Sequence, residues 1–178
     1  MLENFILLAE YNAEMNVRGF IAAKQLSNAE LLKERGAFFG SILGTMNHLI
    51  VADTIWLQRI ANHPAQFSSL VGLNALGKPA SLDQLLFTDL DQLVERRSML
   101  DQIIKDLMLE MNTLQLNSML FYTRTDGTAA HKRLNDVLLH FFNHQTHHRG
   151  QISTLLFQSG IDVGVTDLLT LVPDPVAN

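Results

Sequence analysis

Residues 133–159 keep the rhythm of one long helix, with an apolar stripe through Val137, Phe141, Ile152 and Leu155. Two histidines, His144 and His148, occupy that same stripe, where a core helix would carry Leu or Ile. Residues four apart lie on one helix face, about 5–6 Å apart at Cβ. Polar groups buried without partners are costly, so the pair needs a compensating partner. Two imidazoles so placed can grip one metal ion, and a shared metal is the simplest reason for them.

Three other stretches have the same helical spacing. Residues 2–26 place Phe5, Leu8, Met15, Phe20 and Ala23 on helical positions. Ser27-Asn28-Ala29-Glu30 has the pattern of a capping box opening a short turn, and Gly36 to Gly40 is a break. Residues 41–61 form the second long helix, with Met46, Leu49, Ile50, Trp56, Leu57 and Ile60 apolar, and His63-Pro64 ends it. Residues 64–80 read as a loop. Ser81-Leu82-Asp83-Gln84 has a second capping-box pattern, which predicts a third helix from there to Met111. Residues 117–124 and the Asp126-Gly127 turn predict a small hairpin or extended crossover before the last long helix. Gly160 followed by Ile161 fits a glycine C-cap, and Thr166 to Leu169 predicts one more helical turn before Pro173. Four long helices within 178 residues argue for an all-α, four-helix bundle formed as a single domain over 1–178.

His48 lies on the second long helix, with Gly44 and Ala52 on its face. Small residues there let another helix or a ligand come close, as a metal site between the second and fourth long helices requires. Three neutral imidazoles leave a coordination position open, which is the catalytic rather than the closed structural type of site. Imidazole suits zinc, nickel, copper and iron alike. Taken alone, a histidine such as His48 is more often a hydrogen-bonded core residue than a ligand. His140 and His147 read as outer or surface groups, with His140 and Gln151 candidates to orient a ligand imidazole. Arg149 is either a clamp for an anionic substrate group or half of an internal salt bridge. Asp53 reads as a local cap or pair, Trp56 as core or dimer packing, and Met99, Met108 and Met111 as core filler. Glu10 and Glu14 share a helix face, but a di-iron bundle needs Glu-x-x-His motifs, and the chain has none. No residue can be named as catalytic.

A net charge of −5, with only Arg96-Arg97 and Lys132-Arg133 as basic pairs, argues against nucleic acid as a partner. No apolar run approaches the roughly 20 residues that cross a bilayer. The chain has no cysteine and no basic leader at Met1–Phe5, which leads to the expectation of a cytoplasmic protein.

The pattern Asn47-His48-Leu49 with Asp53 and Trp56, then His144-x-x-x-His148-Arg149-Gly150-Gln151 and Gly160, resembles the DinB-like (DinB/YfiT) superfamily. The Asp126-Gly127 turn and the Thr166-Asp167-Leu168 tail extend the resemblance over nearly the whole chain. It implies an up-up-down-down four-helix bundle, usually a homodimer, holding divalent zinc or nickel through a histidine triad. By position that triad is His48, His144 and His148. It further implies metal-dependent transferases and isomerases that use low-molecular-weight thiols; the open three-histidine site itself suits transfer or hydrolysis, with the metal activating a thiol or water. The alternative is a non-catalytic metal-binding or stress-response dimer.

Overall fold

A computed structural model describes residues 1–174; residues 175–178, the end of the predicted domain, lie outside the described residues. The chain is mostly helical, with one two-stranded sheet. Its elements are α1 (Leu2–Ala23), α2 (Asn28–Leu32), α3 (Ile42–Ala61), α4 (Leu90–Glu110), α5 (Thr113–Asn117), β1 (Met119–Thr123), β2 (Ala129–Arg133) and α6 (Leu134–Gln158). Short 3₁₀ turns at Ser68–Leu70 and Leu73–Leu76 interrupt the 64–80 loop, and a third lies at Leu168–Leu171 in the tail. No described helix is long and apolar enough to cross a membrane.

The four long helices pack in a ring: α1 against α4 and α6, and α3 against the same two. The seam follows helical periodicity. Leu93, Leu100 and Leu107 recur every two turns of α4 and are fully buried, as are Leu43, Ile50 and Leu57 of α3. From α6 come Val137, Phe141, Ile152 and Leu155, all buried as their stripe requires. Each such side chain contributes about 1.5–3 kcal/mol of transfer free energy on burial. Met108 and Met111 belong to this core, but Met99 does not: it is 38% exposed, one helical step away from the buried Leu100.

A polar network crosses the ring. Arg97 of α4 is buried between Asp53 of α3 and Asp101 of α4, its Nη2 3.1 Å from the Asp101 carboxylate. Asn12 and Asn16 of α1 donate to the same Asp101 oxygen at 3.1 and 2.9 Å. Gln145 of α6 donates to Asp53, and Arg149 of α6 donates to Asn12. Thus Asp53 pairs across 44 residues rather than locally, because α3 carries it to the face that meets α4. Burial pushes its carboxyl up to about 6, with the Arg97 guanidinium opposing. Arg149 forms neither a salt bridge nor a free clamp among the described residues; its guanidinium bonds to Asn12 and Thr146 and lies over the Tyr11 ring.

The third long helix begins at Leu90, eight residues later than the Ser81 cap predicts. Asp89 is the cap, its Oδ1 accepting from the Asp91 and Gln92 amides at 3.0 and 3.2 Å. In the 81–84 pattern the Gln84 side chain instead accepts from the Ala80 amide, and the segment 81–88 runs along α3 without helix. The hairpin is present: β1 and β2 pair antiparallel from Met119↔Arg133 to Thr123↔Ala129, turning at Gly127 with φ of 86°. Helix α6 ends as Gly160-Ile161 predicts. Gly160 has φ of 83°, the Ile161 amide bonds to the Leu156 carbonyl at 3.0 Å, and Ile161 packs on the core.

Candidate metal centre

His48 of α3 and His144 and His148 of α6 meet where those two helices pack. One ring nitrogen from each lies within 4.8 Å of the others, so the three could hold a metal ion. His48 Nε2 and His144 Nε2 are 3.1 Å apart. Two nitrogens at 2.0–2.1 Å from one tetrahedral ion would be about 3.3 Å apart, so this spacing fits a shared ion. His48 and His148 are buried, and His144 is half-buried.

Hydrogen bonds fix two of the three rings. His48 Nδ1 lies 2.8 Å from the Leu82 carbonyl oxygen, an acceptor, so Nδ1 carries the proton and Nε2 presents its lone pair. His148 Nδ1 lies 2.7 Å from Gln151 Oε1. The Gln151 amide nitrogen is committed to His147 Nε2 at 3.2 Å, which leaves its oxygen for His148 and keeps the His148 proton on Nδ1. Carbonyl acceptors behind ligand imidazoles are the usual supports of a metal site. Phe39 stacks on His48, with centroids 3.8 Å apart, and meets His148 edge-on at 5.5 Å, closing one side.

All three imidazoles stay neutral at neutral pH. Burial pushes His144 down to about 3, helped by the His148 and His48 rings beside it. Burial also lowers His48 and His148, against the Leu82 and Gln151 hydrogen bonds respectively. A neutral imidazole is the form that binds a metal.

Of the other sequence candidates, Gln151 supports His148 directly. His140 is exposed; it touches Trp56 edge-on at 5.3 Å and lies 5.9 Å from His144. His147 is exposed; its ring meets that of His148 edge-on at 4.8 Å, and its Nε2 pairs with the Gln151 amide nitrogen. Trp56 is half-buried and faces Tyr122, His140 and Arg59. Gly44 does admit a close neighbour, though it is the backbone of the preceding loop: a Cβ there would lie 2.1 Å from the Phe39 carbonyl oxygen.

Sequence reasoning gives Asn47 no role beyond its place in the family pattern and reads 81–88 as the start of a helix. Asn47 Nδ2 donates to the Phe87 carbonyl at 2.9 Å, and its Oδ1 accepts from the Phe87 amide at 3.0 Å. This pins 81–88 against α3 and brings the Leu82 carbonyl to His48.

An open cleft begins at His48 and His144 of the triad. Its inner part, 340 Å³, is lined by His48, Ala52, Trp56, Arg59, Tyr122 and His144 among others. No Asp or Glu lines it.

Helices and site together define a helical protein with a candidate three-histidine metal centre. The DinB family model matches residues 1–173, and the chain belongs to that family. It is 28% identical to the uncharacterized protein YizA of Bacillus subtilis (strain 168) over 81% of this chain and 80% of that protein. It is 26% identical to Protein DinB of the same organism, over 90% of this chain and 88% of that protein. No solved structure matches significantly.

Proposed function

We propose that this protein binds one divalent metal ion, zinc or nickel, through His48, His144 and His148. We further propose that it uses the ion in a transfer reaction with a low-molecular-weight thiol, or in hydrolysis. The observation that carries this reading is the convergence of three ring nitrogens within 4.8 Å, two of them with the opposite nitrogen held by a carbonyl acceptor. Zinc or nickel bound there would supply Lewis acidity, which makes a thiol or water nucleophilic near neutral pH. The protein's own part is to orient the rings through Leu82 and Gln151, keep them unprotonated by burial, and exclude water from one side with Phe39. In this reading the chain is a single domain and an up-up-down-down four-helix bundle, which the ring packing of α1, α3, α4 and α6 supports. It pairs as a homodimer in the cytoplasm.

Elemental mass spectrometry of untagged protein tests the metal. The expected result is about one zinc or nickel per chain, lost in His48→Ala and His148→Ala while circular dichroism stays helical. No stoichiometric metal, even after incubation with both ions, would overturn it. A second reading, in which the ion only ties α3 to α6, is favoured by the absence of a carboxylate base lining the inner cleft. Release of chloride from an aryl chloride by cysteine and the metal-loaded protein would exclude that reading.

A further inference from the structure

The cleft continues outward from the triad. Its inner part shares Ile55, Arg59, Leu82, Tyr122, Arg124 and Thr125 with an outer part of 560 Å³, so the two are one groove between α3, the 78–82 segment and the hairpin. Either volume falls in the range of small-molecule sites, about 300–1,000 Å³. The charge along this groove is one-sided. Arg59, Lys78 and Arg124 line it, and no Asp or Glu does. That contrasts with a chain holding 18 acidic against 13 basic residues. None of these three cations forms a salt bridge among the described residues, whereas six of the other ten, Arg18, Lys24, Lys33, Arg35, Arg97 and Lys105, do.

Arg59 is held ready rather than spent. Its guanidinium lies 4.5 Å from the Trp56 ring centroid and 5.0 Å from that of Tyr122, which fixes its plane without neutralising its charge. Burial lowers its pKa, a cost that a bound anion would offset. Arg124 enters from the hairpin turn, where Nη1 bonds to Thr128 Oγ1 at 3.0 Å. A guanidinium held over aromatic faces, as Arg59 is, suits carboxylate and phosphate groups, and Arg124 adds a second positive charge to the same groove.

We propose that this groove binds a small molecule carrying at least two negative charges, a dicarboxylate or a phosphate, with Arg59 and Arg124 as the recognising residues and the triad at its inner end. The inference rests on the metal-centre reading only for the role of that inner end; the anion site itself needs no metal.

Trp56 is the single tryptophan of the chain and stands in the wall of the groove, so its emission reports occupancy. Succinate, inorganic phosphate and the neutral succinamide would be titrated at constant ionic strength into metal-free and zinc-loaded protein, read by Trp56 emission and by calorimetry. The expected result is saturable binding of succinate or phosphate to both forms and none of succinamide. The tighter of the two anions tells carboxylate from phosphate recognition. Arg124→Gln and Arg59→Gln should each raise the half-saturating concentration about tenfold, as loss of one charge-assisted pair requires. Arg124 is exposed on a turn, so that variant keeps its fold and its Trp56 baseline. No binding of either anion to metal-free protein, or unchanged affinity in both variants, would overturn the proposal. Failure of the metal reading would appear elsewhere, as absent zinc with succinate binding intact.

Discussion

Asn47 holds no metal position, yet the geometry of His48 depends on it. It joins α3 to Phe87 through two hydrogen bonds, and that junction delivers the Leu82 carbonyl. Asn47→Ala leaves the Phe87 amide and carbonyl without their partner, at a cost of about 2 kcal/mol in urea denaturation. Hydrogen exchange at Phe87 should accelerate in the same variant. Gln151→Ala should weaken zinc binding about 10- to 100-fold, measured by competition with a chelator, since His148 loses its carbonyl support. The protonation of the triad gives a signed prediction. His144 titrates near 3 in the folded chain, below the 6.5 of an ordinary imidazole, so the unfolded chain binds the proton more readily. The contribution of His144 to the stability of metal-free protein is therefore complete above pH 6.5 and is lost as pH falls from there toward 3, while Asp53, raised to about 6, acts with the opposite sign. His144→Gln should flatten that slope in urea midpoints taken across the window. The three histidines were legible in the sequence because spacing and the apolar stripe expose them. Asn47 was not, because a side chain that bonds to backbone 40 residues away has no periodic signature.

At the scale of elements, the start of α4 is the instructive case. Two sites compete for it: Ser81, with a Gln three residues on, and Asp89. The local pattern at Ser81 is sound, and Leu82, Leu85 and Leu86 continue the apolar rhythm. Yet Leu82 and Leu85 are 45% and 47% exposed, so that rhythm buries little. The backbone of 81–88 is engaged by Asn47 and His48 instead, and tertiary contacts override a local cap. Asp89→Ala should then cost about 1 kcal/mol in urea denaturation, while Ser81→Ala stays within about 0.5 kcal/mol. Equal costs would return the helix start to Ser81. The hairpin and the end of α6 were legible for the opposite reason: Gly127 and Gly160 adopt positive φ, and a glycine meeting that demand announces itself in sequence.

For the whole molecule, the four long helices share one buried polar centre. Asp53, Arg97 and Asp101, with Asn12, Asn16, Gln145 and Arg149, give every long helix a member. Asp53→Ala leaves Arg97 buried with a single carboxylate and should destabilise by about 3–5 kcal/mol, read as a urea midpoint shift. A shift below about 1 kcal/mol would show that the ring is held by its apolar seam alone. The metal centre belongs to this scale as well, since His48 and His144 stand 96 residues apart. During synthesis the two histidines of α6 reach solvent long after His48, and only docking of α6 on α3 brings the three together. If the triad binds a metal as proposed, acquisition is thus an act of the finished fold, and an emerging chain offers the cell's metal pool no complete site to fill prematurely. A peptide spanning 134–158 should accordingly hold zinc more weakly than the folded protein in chelator competition; equal affinity would place capture on the nascent helix.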